Sequence, residues 1–272
     1  MIGIIGGSGF YNFLKGKEVS VNTPYGKPSD KILLTEYAGK KIAFLPRHDK
    51  KHQLPPHQIP YRANLYALKK LGVERILTST TVGSLRAKIK PGDFVICDQF
   101  VDKTDSRACT YFDGLQACPP KCRRDFGAVV HISAVEPYCS RLRQIAADTC
   151  QKLGISFHKK GTVVVIEGPR FSTKAESNFY TKMGWDVINM TQYPEVILAR
   201  ELEMCYLNIS LVTDYDTGLR GRPDIKPVTA QEVVKIFKQN NEKVKKIFLE
   251  IIKNLPEDRN CKCGQALKEA KL

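Results

Sequence analysis

The sequence predicts an α/β protein: a single domain with a central, largely parallel, twisted β-sheet flanked by helices. Apolar, β-branched runs of strand length alternate along the chain with longer segments of helical periodicity. No internal repeat, low-complexity segment or Pro/Gly/Ser-rich linker divides the 272 residues. Single α/β domains often reach this length.

The predicted strands are short apolar runs typical of a buried sheet. They are Ile2–Ile5, Ile32–Glu36, Ile42–Leu45, Arg75–Ser79, Phe94–Cys97, Thr162–Ile166, Val187–Met190 and Ile209–Thr213. Helical spacing predicts helices over Pro60–Leu71, Tyr138–Leu153, Lys174–Met183, Pro194–Cys205 and Lys235–Lys253. Glycine stops the first three of these helices. We expect one domain over residues 1–272, with 254–272 as a C-terminal extension.

The composition argues against several classes of protein. Lys and Arg number 43 against 28 Asp and Glu, a formal net charge of +15. These basic residues are scattered rather than interleaved with aromatic residues, which disfavours a nucleic-acid-binding surface. No apolar run approaches the roughly 18 residues of a membrane helix, and MIGIIGGSGF does not resemble a signal peptide. We expect a cytoplasmic protein that binds neither nucleic acid nor membranes.

The nine cysteines leave their chemical state open. An odd number means that at least one thiol is free or pairs between chains. The cysteines of interest are two close pairs and two single disulfide candidates, namely Cys118–Cys122, Cys261–Cys263, Cys139 and Cys205. Zn²⁺ needs four ligands, and neither pair has a matching Cys or His at a standard spacing, so we expect no metal. A stabilising disulfide in the C-terminal extension is one hypothesis, and free thiols are the alternative.

Glycine-rich or polar segments follow several predicted strands. In α/β sheets, the ligand lies at the carboxyl ends of the strands. The segments are Gly6–Gly9, Arg47–His48, Thr80–Ser84, Met190–Thr191 and Asp214–Asp216. Glycines, hydroxyl groups and an Arg–His pair suit an anion. Neither G-x-G-x-x-G nor a Walker loop is present, which disfavours NAD and ATP.

Other residues of these segments suit an aromatic base. Phe171 can stack on such a ring, and the carboxylates of Asp214 and Asp216 would share one face if both lay in a strand. Burial raises the pKa of an aspartate, which lets it share a proton with a leaving base. Phosphate beside a purine indicates phosphorolysis or phosphoryl transfer.

Specific motifs run through nearly the whole chain, from Gly3 to about Ile252. They are GIIGGSGF, TPYGKPSD, PRHDKKH, YRANLYALK, GSLR, PGDFVICDQFVD, VEPYC, IEGPRFST, VINMTQYPE and VTDYD. In these motifs the chain resembles the trimeric purine nucleoside phosphorylase family, most closely its branch that acts on methylthioadenosine. Ser8 and Thr81 depart from the residues common in that family, and residues 117–127 look expanded.

The resemblance implies two adjoining subsites. For phosphate it implies Ser8, Arg47, His48, Thr80, Thr81, Thr191 and Ser172. For the nucleoside it implies Phe171, Met190, Asp214, Asp216, Val228, Val233 and His131. In this assignment Asp214 is the catalytic residue and bonds N7 and the 6-amino group of adenine. The two valines line the pocket for the 5′ group, and His131 reaches a neighbouring subunit's site.

The resemblance also implies an activity. This is phosphorolysis of 5′-methylthioadenosine to adenine and 5-methylthioribose 1-phosphate, a pentosyl transfer in purine and methionine salvage. Inorganic phosphate is the co-substrate, no metal or organic cofactor is implied, and the assembly is a homotrimer or hexamer. Two alternatives stay open: a broader purine nucleoside phosphorylase for adenosine, inosine or guanosine, and a methylthioinosine phosphorylase.

Overall fold

Eleven strands form one mixed β-sheet in the computed structural model, which describes residues 1–6, 15–114, 127–219, 222–268 and 270. The strands are β1 (Ile2–Gly6), β2 (Lys17–Val19), β3 (Ile32–Tyr37), β4 (Lys40–Pro46), β5 (Arg75–Ser84), β6 (Phe94–Ile96), β7 (Gln99–Lys103), β8 (Phe157–His158), β9 (Thr162–Ile166), β10 (Val187–Asn189) and β11 (Cys205–Asp214). The main path runs β2-β3-β4-β1-β5-β10-β9-β7, and β11 branches from β5 toward β6 and β8.

The helices of the described residues lie between these strands or after them. They are α1 (Tyr61–Lys70), α2 (Ser140–Lys152), α3 (Lys174–Lys182), α4 (Gln192–Glu201) and α5 (Ala230–Asn254), with 3₁₀ turns at Pro56–Gln58 and Lys262–Gln265. Within the described ranges, we find no helix with the length and apolar character that crossing a membrane requires.

Parallel pairing dominates the centre of the sheet. Strand β1 pairs in parallel with β4 and β5, β5 pairs in parallel with β11, and β9 does so with β7 and β10. Antiparallel pairs join β2 to β3, β3 to β4, β5 to β10 and β6 to β11. The predicted fold class, a largely parallel sheet in one α/β domain, is confirmed.

Helices cover both faces of the sheet because alternate strand residues point to opposite sides. Ile5 and Leu45 join the core beneath α1 and α4, whereas Ile4 and Phe44 join the core beneath α2 and α5. Strands buried on both faces are apolar at nearly every position, as parallel sheets require. This explains why the apolar runs of the sequence located the central strands.

The long strands β5 and β11 differ from the prediction. Their parallel pairing runs from Arg75 opposite Cys205 to Gly83 opposite Asp214, with a shift of register near the end. The helix predicted over Pro194–Cys205 is therefore wrong at its C-terminal end. Cys205 already belongs to the sheet, where its N–H donates to the Glu74 carbonyl at 2.9 Å.

The C-terminal extension packs back onto the core. Arg259 donates to the Glu203 carbonyl at 2.6 Å, and the Leu267 N–H donates to Glu203 Oε1 at 3.2 Å. Farther along, the Ala270 carbonyl accepts from the His131 N–H at 2.8 Å. The extension therefore connects the start of β11 to the segment that carries His131.

Candidate active site

A cavity of about 630 Å³ lies at the carboxyl ends of β4, β5, β10 and β11. This is the edge at which α/β sheets bind ligands. Most residues assigned to the site by resemblance line it, namely Arg47, His48, Thr80, Thr81, Phe171, Met190, Thr191, Asp214, Asp216 and Val233. The structure thus brings the anion-binding and base-binding candidates into one space.

Of the other four assigned residues, three are described by the structure and do not line this cavity. Ser8 lies outside the described residues. Ser172 does not line the cavity, and its buried hydroxyl interacts with the Asp216 carboxylate. Val228 does not line it either, and its N–H donates to the Asp216 carbonyl at 2.7 Å. His131 is exposed to solvent and away from the cavity wall.

Arg47 is buried beneath the cavity and paired with Glu195. Nε and Nη2 of Arg47 donate to the two Glu195 carboxylate oxygens at 2.8 and 2.9 Å. The side chains are 2% and 0% exposed. Burial by itself lowers the pKa of Arg47. The Glu195 carboxylate raises this pKa by more than burial lowers it, so the guanidinium stays charged. No motif pointed to Glu195, although an acidic residue inside the apolar segment Pro194–Ala199 is unusual enough to have indicated it.

The Arg47–Glu195 pair is held by further hydrogen bonds. Tyr206 donates its hydroxyl to Glu195 Oε1 at 2.7 Å, and Arg47 Nη1 donates to the Ser79 carbonyl at 3.2 Å. A guanidinium has five N–H donors, and these bonds use three of them. Arg47 can therefore offer hydrogen bonds to an anion in the cavity, while Glu195 cancels its charge.

His48 lies beside Arg47 and is a neutral hydrogen-bonding group. Its Nδ1 lies 2.8 Å from the Leu54 carbonyl, which can only accept, so Nδ1 carries the proton. Burial and the charge of Arg47 lower the pKa of His48 to about 4. At neutral pH, Nε2 therefore has a lone pair and accepts a hydrogen bond, from a hydroxyl of the sugar or of a protonated phosphate.

A buried polar network fixes Thr80. Its Oγ1 accepts from Gln192 Nε2 at 3.3 Å and lies 3.2 Å from Asn208 Oδ1, to which it donates. Gln192 also donates to Ser210 Oγ at 3.0 Å. In contrast, Thr191 precedes α4 without capping that helix through its side chain. Thr80 is a rigid part of the wall, and the Thr191 hydroxyl is not used as a helix cap.

Asp214 ends β11 with its carboxylate facing the cavity. The Thr213 hydroxyl donates to Oδ2 and the Asp216 N–H donates to Oδ1, each at 2.7 Å. Burial raises the pKa of Asp214 to about 6 despite these bonds. A carboxyl group with this pKa can hold or release a proton near neutral pH, as a general acid requires.

Gly83 makes room for that carboxylate. A Cβ at residue 83 would lie 2.8 Å from Asp214 Oδ1 and 3.2 Å from the Asp216 nitrogen. Real Cβ atoms do not approach so closely, so any side chain here would displace the carboxylate. Gly83 therefore belongs to the structure of the site, although in the sequence it stands out only as part of the polar segment Thr80–Ser84.

Asp216 does not share a strand with Asp214, as the i, i+2 argument assumed. Strand β11 ends at Asp214, and Asp216 has a φ of +52°, in the left-handed region. That expectation is wrong in its geometry, because the chain turns there. Both carboxylates still reach the cavity, and the side chains of Ser172 and Ser177 interact with the Asp216 carboxylate.

Met190 and Phe171 form an apolar wall near the aspartates. Gly168, with a φ of +69°, allows this packing, because a Cβ there would lie 2.6 Å from Met190 Sδ. Asn189 also lines the cavity, and both polar atoms of its side chain are buried without partners among the described residues. It was missed because it was assigned only to the end of a predicted strand.

Helix α5 forms the opposite side of the cavity. It contributes Val233, Val234 and Phe237, with Lys238 at the rim. Val234 is 50% exposed. The cavity therefore has an apolar side facing the strand ends that carry its polar groups.

The described residues hold one group of side chains that could share a metal ion, and it lies outside the cavity. It consists of Cys139, Cys205, Cys261 and Cys263. No matching ligand lies at a standard spacing from Cys261 and Cys263 in the sequence, but folding brings the distant Cys139 and Cys205 to them. Cys118 and Cys122 lie outside the described residues.

Comparisons with known proteins agree with this geometry. The profile of the Phosphorylase superfamily matches residues 1–253. The S-methyl-5'-thioadenosine phosphorylase of Thermofilum pendens is 50% identical over 99% of this chain and 97% of its own. A Dictyoglomus turgidum protein named "Probable 6-oxopurine nucleoside phosphorylase" is 48% identical over 98% of this chain and 97% of its own.

Solved structures give the same result. Methylthioadenosine phosphorylase from Schistosoma mansoni in complex with adenine has a TM-score of 0.85 and 36% identity, covering 92% of this chain and 90% of that one. A doubly substituted adenosine/methylthioadenosine phosphorylase from the same organism, also with adenine, has a TM-score of 0.89 and 35% identity over 99% and 98%. The fold, the cavity and these relatives lead to one conclusion: the chain belongs to the phosphorylase superfamily.

Proposed function

We propose that the protein cleaves the N-glycosidic bond of 5′-methylthioadenosine with inorganic phosphate. The products are adenine and 5-methylthioribose 1-phosphate, which return purine and methionine precursors to salvage. The observation that carries the proposal is the buried Asp214 carboxyl group, which faces the same cavity as the donors Arg47 and Thr191. A proton donor for a leaving base and donors for an anion are the two halves of a phosphorolysis site.

Phosphate in this proposal lies against the ends of β4 and β5. Arg47 and the Thr191 hydroxyl donate to it, while Thr80, whose hydroxyl proton bonds Asn208 Oδ1, forms the wall of this subsite and the backbone at Thr81 lies beside it. His48 accepts through Nε2 from a phosphate or ribose hydroxyl. Ser8 and Ser172 stay assigned to this subsite by resemblance alone.

The nucleoside then lies between the phosphate and the aspartates. As the C1′–N9 bond lengthens, its electron pair goes to the base, positive charge develops on the sugar, and the nearby phosphate anion stabilises that charge and then bonds C1′ through one oxygen. Asp214 donates its proton to N7 of adenine while its other oxygen accepts from the 6-amino group. Asp216 orients Asp214 through its backbone N–H. Positioning and electrostatics account for this mechanism, which needs no metal or organic cofactor.

The apolar side of the cavity suits the 5′-methylthio group. Val233 and Phe237 line the cavity, and burying a methylthio group against them is favourable, whereas burying a 5′-hydroxyl without a partner is costly. Met190 and Phe171 supply the contacts to ribose and base. We assign Val228 to the backbone turn behind this pocket, because its N–H bonds the Asp216 carbonyl.

A homo-oligomer, a trimer or a hexamer, is part of the same proposal. His131 is exposed and lies between Val129 and Val135, which are 53% and 76% exposed. Two exposed apolar side chains in one short segment support a contact with another protein only where they form one patch. We propose that this segment packs on a second copy and brings His131 to its site.

The second candidate is a purine nucleoside phosphorylase for 6-oxopurines, favoured by the 48% identical relative. A single assay separates the two. Phosphate-dependent release of base is measured with methylthioadenosine, adenosine and inosine. We expect the highest kcat/KM with methylthioadenosine and a much lower value with inosine. Equal rates with inosine would reject Asp214 as an adenine selector, and no phosphate-dependent cleavage of any nucleoside would reject the proposal.

Gly83→Ala tests the position of Asp214. We expect kcat/KM to fall by about 10²-fold, because the new methyl group displaces the carboxylate from the base. Gly161→Ala is the matched control, since its Cβ meets Val95 at 2.6 Å outside the cavity. That variant should lose stability and keep its activity per folded molecule. Similar kinetics for the two variants would contradict the role of Gly83.

A further inference from the structure

Four cysteine thiols from three separate parts of the chain meet at one point. Cys139 precedes α2, Cys205 begins β11, and Cys261 and Cys263 belong to the C-terminal extension. Their sulfur atoms all lie within 4.8 Å of one another, and Sγ of Cys205 is 3.3 Å from Sγ of Cys261. Four sulfurs bound to Zn²⁺ at about 2.3 Å would be about 3.8 Å apart. The four thiols already have the dimensions of a tetrahedral site.

We propose that these four cysteines bind one Zn²⁺ ion, which fastens the C-terminal extension to the core. Tetrahedral coordination by four thiolates is typical of zinc. Four protein ligands leave no position open for water or substrate, so the ion would be structural. The proposal replaces the expectation from the sequence that the chain holds no metal.

The four-cysteine site is separate from the active site. Cys205 and Asp214 are the first and last residues of β11. An extended strand rises about 3.3 Å per residue, so the site lies roughly 30 Å from the catalytic carboxylate along this strand. Cys261 and Cys263 also lie beyond residue 253, where the match to the superfamily profile ends. The four-cysteine site therefore joins the part of the chain that matches the superfamily profile to the C-terminal extension.

Charge and burial around the four thiols suit a bound metal. Cys139 and Cys205 are buried, and Cys261 and Cys263 are partly buried. A Zn²⁺ ion with four thiolates has a net charge of about −2, and the guanidinium of Arg259 interacts electrostatically with Cys205 and Cys261. Binding releases four thiol protons to solvent and needs no oxidant.

The zinc site would order the residues that follow it. Downstream, Leu267 and Ala270 contact Glu203 and His131 through their backbones. Without the metal, the extension keeps these hydrogen bonds but loses the Zn–S bonds at Cys261 and Cys263. Metal removal should therefore destabilise the protein from a point remote from the cavity.

The test is the zinc content of the protein purified with a reductant and without chelators. We expect about one Zn²⁺ per chain by elemental analysis, and almost none in the double variant Cys261→Ser, Cys263→Ser. Cys150→Ser is the matched control, because Cys150 is a buried free cysteine outside the group. It should keep its zinc. Co²⁺ introduced in place of Zn²⁺ should give the strong visible bands of tetrahedral thiolate coordination.

The wild-type protein decides the question even if the double variant does not fold. A strong chelator should lower its melting temperature, and zinc should restore it. Metal-free protein whose intact mass is two hydrogens lower per bonded cysteine pair would show disulfides, and this would overturn the proposal. Metal-free protein with four freely reactive thiols in the presence of added zinc would overturn it as well.

Discussion

We expect Asp214→Asn to lower kcat/KM for methylthioadenosine by about 10²–10⁴-fold, the usual contribution of a general acid. An asparagine still offers hydrogen bonds to adenine but has no proton to give to N7. Toward a 6-oxopurine, its amide nitrogen donates to O6 and its oxygen accepts from a protonated N7. The loss with inosine should therefore be much smaller. Steady-state kinetics with both nucleosides measure this, and equal losses would refute the assignment of Asp214.

The Asp214→Asn variant should also change how the free energy of unfolding depends on pH. Burial raises the pKa of Asp214 in the folded protein from 3.8 to about 6. The contribution of Asp214 to the free energy of unfolding is therefore fully present below pH 3.8, and it is lost as the pH rises through 6. This loss amounts to about 3 kcal/mol at most. In denaturant titrations, Asp214→Asn should be more stable than wild type at pH 8, and the two should converge near pH 4.

The second large effect concerns Glu195. We expect Glu195→Gln to lower the free energy of unfolding by about 3–5 kcal/mol, because Arg47 becomes a buried, unpaired charge. The glutamine also presents an N–H to a guanidinium that can only donate. Phosphate should then raise the melting temperature of the variant more than that of wild type, since the anion supplies the missing negative charge.

Glu201→Gln is the matched control for this experiment. Glu201 is a buried glutamate of the same helix, and its oxygens accept from the neutral Thr110 hydroxyl and the Tyr111 amide. Its replacement should cost less stability and leave the phosphate response unchanged. If Glu195→Gln matched this control in both measurements, Arg47 would not depend on Glu195 for charge compensation.

The sequence located the central strands because each is apolar over its whole buried length. It did not locate β2, whose residues Lys17–Val19 are exposed or half-buried and have no apolar pattern. It also placed Thr80–Ser84 in a loop, since polar residues there resemble a strand end. In the fold these residues are held in β5 by pairing with β11 and, at Gly83 and Ser84, with β10, and this pairing depends on chain segments far apart.

The sequence predicted which residues line the candidate site, but it did not predict the hydrogen-bond partners that hold them. Motifs identified Arg47, Thr80 and Asp214, whereas their partners Glu195 and Gln192 come from α4 and depend on how that helix packs. The four-cysteine group shows the same limit. Spacing along the chain cannot reveal that Cys139 and Cys205 meet the C-terminal extension, because only tertiary packing brings them together.

Because the Arg47–Glu195 pair has no net charge, ionic strength should affect the association rate of phosphate and its dissociation rate differently. The net charge of +15 resides mostly on the surface, where salt screens it within about 10 Å at ordinary ionic strength. This charge speeds the diffusional arrival of an anion. In the proposed site, the bound anion would rest against a buried pair with no net charge and would be held by short-range hydrogen bonds that salt hardly screens. Ionic strength would thus change how fast phosphate arrives far more than how long it stays.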